Sequence, residues 1–233
     1  MVLETWFVQL AFLVPGIAGA VGIFAELASG RDVSQFPTFV YGEPVLNLVL
    51  GILTYTAVLA PVPIGLLLLA RTGQPPRALG LGRPRWRTDV LVGAGLALGG
   101  YGIAFGIGLV LTPFLVGLHG LVQHVPIGNV PRYYIVYALA LSAMTAIAEE
   151  TMVSGYLLTR LEQLGWRPQR ALLLSLALRT SYHVYYGIAL VFTVPIGYLL
   201  TRSFQKQRRL NRPIVAHFLY DAVLLTLSIL FIS

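Results

Sequence analysis

Apolar runs of roughly 20 residues, separated by short polar connections, recur along the whole chain. Each is long enough to cross about 30 Å of hydrocarbon as a helix. The runs are apolar on all sides and up to twice as long as a barrel strand, whose polarity would alternate at every second residue. The pattern predicts an all-α transmembrane bundle, because a helix satisfies its own backbone polar groups where no water is present. Seven spans are expected, near residues 5–28, 44–70, 89–117, 133–159, 168–187, 188–202 and 213–232. The sixth is short and contains Pro195, as a bent or partly inserted segment would.

Composition agrees with that solvent. At 233 residues, 57% hydrophobic and 11% charged, with a mean hydropathy of +0.78, the chain has more apolar side chain than a soluble fold of its length could bury. A single membrane domain over residues 1–233 is the simplest organisation. The first run lacks a basic N-terminal region and exceeds a signal-peptide core, so it reads as a retained span. The absence of cysteine excludes disulfides, thiolate metal ligands and a cysteine nucleophile.

The net charge of +7 raises nucleic acid or a lipid surface as partners, and the placement of the basic residues decides between them. They gather in three connections: Arg71, Arg77, Arg83, Arg85 and Arg87; Arg160, Arg167 and Arg170; and Arg202, Lys206, Arg208, Arg209 and Arg212. An N-terminus inside the cell puts all three on the cytoplasmic side, and leaves little charge near Arg31 and Arg132 outside. A multi-pass protein of a bacterial-type cytoplasmic membrane is the expectation. No basic run is interleaved with aromatics to make a groove for bases, so nucleic acid is not a partner.

Two local patterns bear on packing. Gly95 with Gly99 and Gly102 with Gly106 are small-x-x-x-small pairs, which predict close helix contact. The hexapeptide Gly-Tyr-Leu-Leu-Thr-Arg occurs at 155–160 and again at 197–202, each time where a span meets its basic end, so the fourth and sixth spans should run in the same direction.

The chemistry lies in the last four spans. Glu149 and Glu150 fall mid-span, about 15 Å from the basic end at 1.5 Å per residue. Ionisable groups at that depth face a cavity or a partner, and mark function by default. Neighbours on a helix point about 100° apart, so the two carboxylates should have different roles, one of them simply bracing the bundle through an arginine. The fifth span carries Ser175, Arg179 and His183 at four-residue spacing, an inward polar stripe. Arg179 needs an acidic partner, and Glu150 or Glu149 is the natural one. In the last span His217 and Asp221 are one turn apart, so the carboxylate can fix the ring's tautomer and direction. His119 and His124 fall in an outer loop and read as solvated.

Two glutamates, a histidine and a His-x-x-x-Asp on separate apolar helices resemble the CAAX protease and bacteriocin-processing family of intramembrane proteases, the type II CAAX endopeptidase or ABI family. Its motifs are Glu-Glu-x-x-x-Arg, Phe-x-x-x-His and His-x-x-x-Asn or Asp, and the resemblance covers roughly residues 133–230, the expected catalytic core. The chain departs from it twice: Ser154 stands where the family has Arg, and Arg179 where it has Phe. The departures suggest that the arginine has moved to the neighbouring helix, with Arg179 supplying the charge missing at Ser154.

The resemblance implies a glutamate-dependent endopeptidase without an obligatory metal. Glu149 with His183 would activate water, His217 near Asp221 would stabilise the oxyanion, and Glu150 would anchor the site through Arg179. The substrates it implies are membrane-associated peptides or proteins, among them prenylated CAAX proteins and bacteriocin leaders. Glutamate, two histidines and aspartate could also hold zinc, although His-Glu-x-x-His is absent. An ion- or proton-coupled transporter and a proteolytically silent regulator of the same family are the rival readings. Serine catalysis finds no Gly-x-Ser-x-Gly to support it.

Overall fold

The computed structural model describes residues 1–29, 43–115, 131–184 and 190–231. Arg31, His119 and His124 lie outside the described residues. Among these there is no strand, and the helices are α1 (Val2–Ala28), α2 (Pro44–Tyr55), α3 (Pro61–Arg71), α4 (Trp86–Leu115), α5 (Ile135–Glu149), α6 (Leu157–Gln163), α7 (Pro168–Ser181), α8 (Leu190–Gln207) and α9 (Asn211–Phe231). Pro44, Pro61 and Pro168 open α2, α3 and α7, at positions where the missing N–H has no intrahelical partner to lose.

Among the described residues five helical stretches are long and apolar enough to cross a membrane: Val2–Ile23, Pro44–Arg71, Trp86–Leu111, Arg132–Gln163 and Asn211–Phe231. They coincide with the first four expected spans and the last. The fifth and sixth expected spans appear as α7 and α8. With its 14 residues α7 is about 21 Å long and does not by itself match about 30 Å of hydrocarbon. The surface of the long helices is lipid-like: Leu98 and Phe105 of α4 are each 69% exposed, a degree of apolar display that an aqueous surface does not repeat along a whole helix.

Packing is centred on the C-terminal helices. α9 lies against α4, α5 and α8, while α8 also meets α4 and α7. The close approach of α4 comes from glycines other than the expected pairs. A Cβ on Gly93 would fall 2.6 Å from Val215 Cγ1, and one on Gly100 would fall 2.5 Å from Ile196 Cδ1. Gly95, Gly102 and Gly106 have nothing within 4 Å, and Gly99 only Leu199 at 3.9 Å. At 100° per residue the expected pairs lie on roughly the opposite face from Gly93 and Gly100. Gly93→Ala is therefore expected to cost about 1–3 kcal/mol through overpacking against Val215, and Gly95→Ala to be neutral, as read by thermal unfolding in detergent.

The three basic connections meet at one end of the bundle. Leu210 N–H donates to Gly80 O at 3.0 Å, and Arg208 pairs with Glu162 at 2.5 Å. Asp89, in the first turn of α4, is buried and receives Arg209 Nη2 at 2.6 Å and Arg212 Nε at 3.2 Å, with Arg85 N–H at 2.9 Å. Arg160 is fully buried beneath the end of α3, donating to Leu68 O at 3.3 Å and Thr72 Oγ1 at 3.4 Å. A cation there complements the negative end of that helix. These contacts hold all three connections on a common side of the bundle.

Candidate active site

The helix that carries the two glutamates changes its winding at them. α5 ends at Glu149, Glu150–Tyr156 is π-helical, and α6 resumes at Leu157. A π turn accommodates one extra residue and misaligns some carbonyls from the usual hydrogen-bond ladder. Two carbonyls of the turn accept from neighbouring helices: Gln9 Nε2 of α1 donates to Met152 O at 2.9 Å, beside the Leu157 N–H, and Ser175 Oγ of α7 donates to Val153 O at 3.2 Å. The expected polar stripe on α7 thus begins as a backbone brace.

One turn further along α7, the Arg179 guanidinium spans both carboxylates. Nη1 lies 3.1 Å from Glu149 Oε2, and Nη2 lies 2.8 Å from Glu150 Oε1. All three residues are buried, where a charge persists only when paired. Nη2 also donates to Ser154 Oγ at 3.4 Å, and Ser154 Oγ donates in turn to Glu150 Oε2 at 2.7 Å. The cation of α7 therefore reaches the side chain at position 154, where the resemblance would place an arginine. Gly197 of α8 makes room for it, since a Cβ there would fall 2.9 Å from Arg179 Cδ. That explains one glycine of the repeated hexapeptide by contact rather than by its place at a membrane surface.

The environments of the two glutamates differ. Glu150 is fully buried and both its oxygens are engaged: Oε1 by Arg179 and by His217 Nδ1 at 2.9 Å, Oε2 by Ser154. Glu149 receives Arg179 Nη1 and the Tyr182 hydroxyl, the latter at 2.8 Å, on the same oxygen, Oε2. Among the described residues its hydrogen bonds all fall on Oε2, which leaves Oε1 to a further partner.

His217 lies between two carboxylates, with Nε2 3.2 Å from Asp221 Oδ2 and Nδ1 on Glu150. Asp221 is far more exposed than the rest of the network. His183 stands on the turn after α7, its Nδ1 2.9 Å from Arg179 O and its ring 4.7 Å from that of Tyr182. A carbonyl only accepts, so Nδ1 carries the proton and a neutral ring keeps its lone pair on Nε2. The network thus joins Glu149, Glu150, Ser154, Arg179, His217 and Asp221 directly, with His183 attached through the Arg179 main chain.

Glu150 and Asp221 sit on opposite nitrogens of the His217 ring and cannot share an ion with it, and among the described residues no three His, Asp or Glu side chains form a ligand group. Tyr182 and Gln9 take part in the site without standing out in the sequence, one as an aromatic beside His183 and the other as a neutral polar residue in an apolar run.

Residues 131–223 match the family model described as type II CAAX prenyl endopeptidase, Rce1-like. That match identifies this stretch as a CAAX-endopeptidase-like domain. The matched stretch begins just before α5 and ends two residues beyond Asp221, so it contains every ion pair of the network. It leaves α1 to α4 outside. The resemblance read from Glu149 and Glu150, from His183 and from His217 with Asp221 is met by this match. No curated protein and no solved structure matches the chain. The matched domain and the apolar helices together point to a membrane protein that carries a CAAX-endopeptidase-like domain.

Proposed function

We propose that the chain hydrolyses a peptide bond of a membrane-associated, prenylated protein, with Glu149 as the base that deprotonates water. The observation that carries this reading is the difference between the glutamates. Both oxygens of Glu150 are filled by protein donors, whereas Glu149 is fixed through Oε2 alone. A base must be held in place and still keep a lone pair for the water it deprotonates. By the family resemblance His183 acts on the same water, and Arg179 holds the two glutamates in register.

His217 donates to the oxyanion in this scheme. Its Nε2–H leaves Asp221 as the substrate carbonyl arrives, which the partly exposed aspartate permits by rotating about its own side-chain bonds. An ionised Asp221 has no hydrogen to donate, so it orients the ring and does not itself stabilise the negative oxygen. The placement in a bacterial-type cytoplasmic membrane, with the N-terminus and the three basic connections inside, belongs to the same reading and rests on the charge bias of the connections.

The test is cleavage of a quenched, prenylated CAAX peptide by the purified full-length protein in liposomes. Wild type should cut it, and chelators should leave the rate unchanged. His217→Ala should lower kcat by about 100-fold or more, the scale of a lost oxyanion donor. An intact peptide with wild type, accompanied by acid-driven solute flux, would favour the transporter instead.

A further inference from the structure

The Glu149 carboxylate is aimed by a group that the family motifs do not contain. We propose that Tyr182 is a positioning residue for Glu149, and that α1, outside the matched domain, holds Tyr182 in place. The inference rests on Glu149 being the base.

Three contacts support it. The Tyr182 hydroxyl donates to Glu149 Oε2 at 2.8 Å, on the same oxygen that Arg179 reaches at 3.1 Å. Two donors converging on one oxygen fix the carboxylate's rotation about its last bond, which a single donor leaves loose, and direct Oε1 away from both. The Tyr182 ring is in turn seated on α1. Phe12 meets it edge-on with centroids 5.9 Å apart, and a Cβ on Gly16 would come within 3.2 Å of Tyr182 Cβ. Gly16 is thus the point where α1 lies against the root of the tyrosine side chain. The same helix supplies Gln9 to the π-helical turn beside Glu150. A span that looks like a generic membrane anchor is therefore built into the base's support at two places one turn or more apart.

Arg179 alone cannot do this work. It serves Glu149 and Glu150 together, so its position is a compromise between the two carboxylates. The phenol serves Glu149 only. Tyr182 is buried with its hydroxyl on this carboxylate, and a buried hydroxyl that lost its acceptor would carry a desolvation cost, so the pair orders both members.

The experiment compares wild type, Tyr182→Phe, Phe12→Ala and Glu149→Gln, full length in liposomes, with the quenched prenylated CAAX peptide as probe. Tyr182→Phe keeps the ring against Phe12 and removes only the donor. The expected result is a fall in kcat of about 10-fold with KM within about twofold of wild type and only a modest drop in Tm, since a lost hydrogen bond to a charged group acts on the base and not on substrate binding. Phe12→Ala retains the hydroxyl but loosens its seat, and should lower kcat by about threefold at unchanged KM. A Tyr182→Phe variant with wild-type kcat, while Glu149→Gln is inactive, overturns the positioning role and leaves the base assignment standing. A fall in kcat matched by a rise in KM and a large drop in Tm also overturns it, in favour of simple packing. Wild-type kcat in Phe12→Ala removes α1 from the proposal. Full cleavage by Glu149→Gln, or none by wild type, overturns the base reading and this inference with it.

Discussion

Glu149→Gln should lower kcat by about a thousandfold while leaving the fold intact, the scale expected when a positioned general base is lost. The amide oxygen can take the place of Oε2 and accept from Arg179 and Tyr182 as the carboxylate does. The amide nitrogen then stands where Oε1 was, and it has no lone pair to receive a proton from water. The neighbouring substitution should behave differently. Glu150→Gln removes the negative charge that faces both Arg179 and His217 in a fully buried place, so its first effect is on stability. Single-turnover cleavage and thermal unfolding, measured on both variants, separate the two roles. A Glu149→Gln protein with near wild-type turnover, or a Glu150→Gln protein that is inactive but as stable as wild type, would reverse the assignment.

Arg179→Leu should have the largest effect on stability, about 3–5 kcal/mol, because it leaves two adjacent carboxylates buried without their cation. The informative variant is the double one. Ser154→Arg combined with Arg179→Phe rebuilds the arrangement of the family motifs, placing the guanidinium on the glutamate-bearing helix and an aromatic on α7. Arg179 already reaches the Ser154 hydroxyl at 3.4 Å, so an arginine from position 154 starts within reach of the same carboxylates. The double variant should recover a large part of the Tm and of the cleavage lost in Arg179→Leu. Failure to recover either, with Ser154→Arg alone well folded, would show that the two positions are not exchangeable and that the arginine did not simply move.

The charged half of the site was legible in the sequence for a physical reason. In an apolar run an ionisable residue is conspicuous because lipid makes it costly, and the need to pair it narrows its partners to a few. The sequence pattern therefore places Glu149, Glu150, Arg179, His217 and Asp221 together, and the structure joins them in one network. Neutral participants do not carry that signal. Gln9 and Tyr182 are tolerated in many spans for reasons unrelated to chemistry, and nothing in their neighbours distinguishes these two. The π-helical turn was hidden for a similar reason, since Glu150–Tyr156 has the composition of an ordinary helix and its winding is stabilised by partners from α1 and α7. Helix faces were only half legible. The spacing of Gly95, Gly99, Gly102 and Gly106 shows that they share a face, but it does not show that this face turns away from α8 and α9 while Gly93 and Gly100 turn toward them.

The π-helical turn also makes the glutamate-bearing helix a shaft with a fixed offset. An extra residue in one turn re-phases everything beyond it by about 100° relative to an uninterrupted α-helix. The carboxylates stand where the joint begins, Glu149 as the last residue of α5 and Glu150 as the first of the π turn, and Arg160, under the end of α3, lies beyond it. The angular setting of the glutamates and the docking of the basic end are thus both met within one continuous helix by that offset, and a residue deleted from the joint would force the two halves to compete for a single setting.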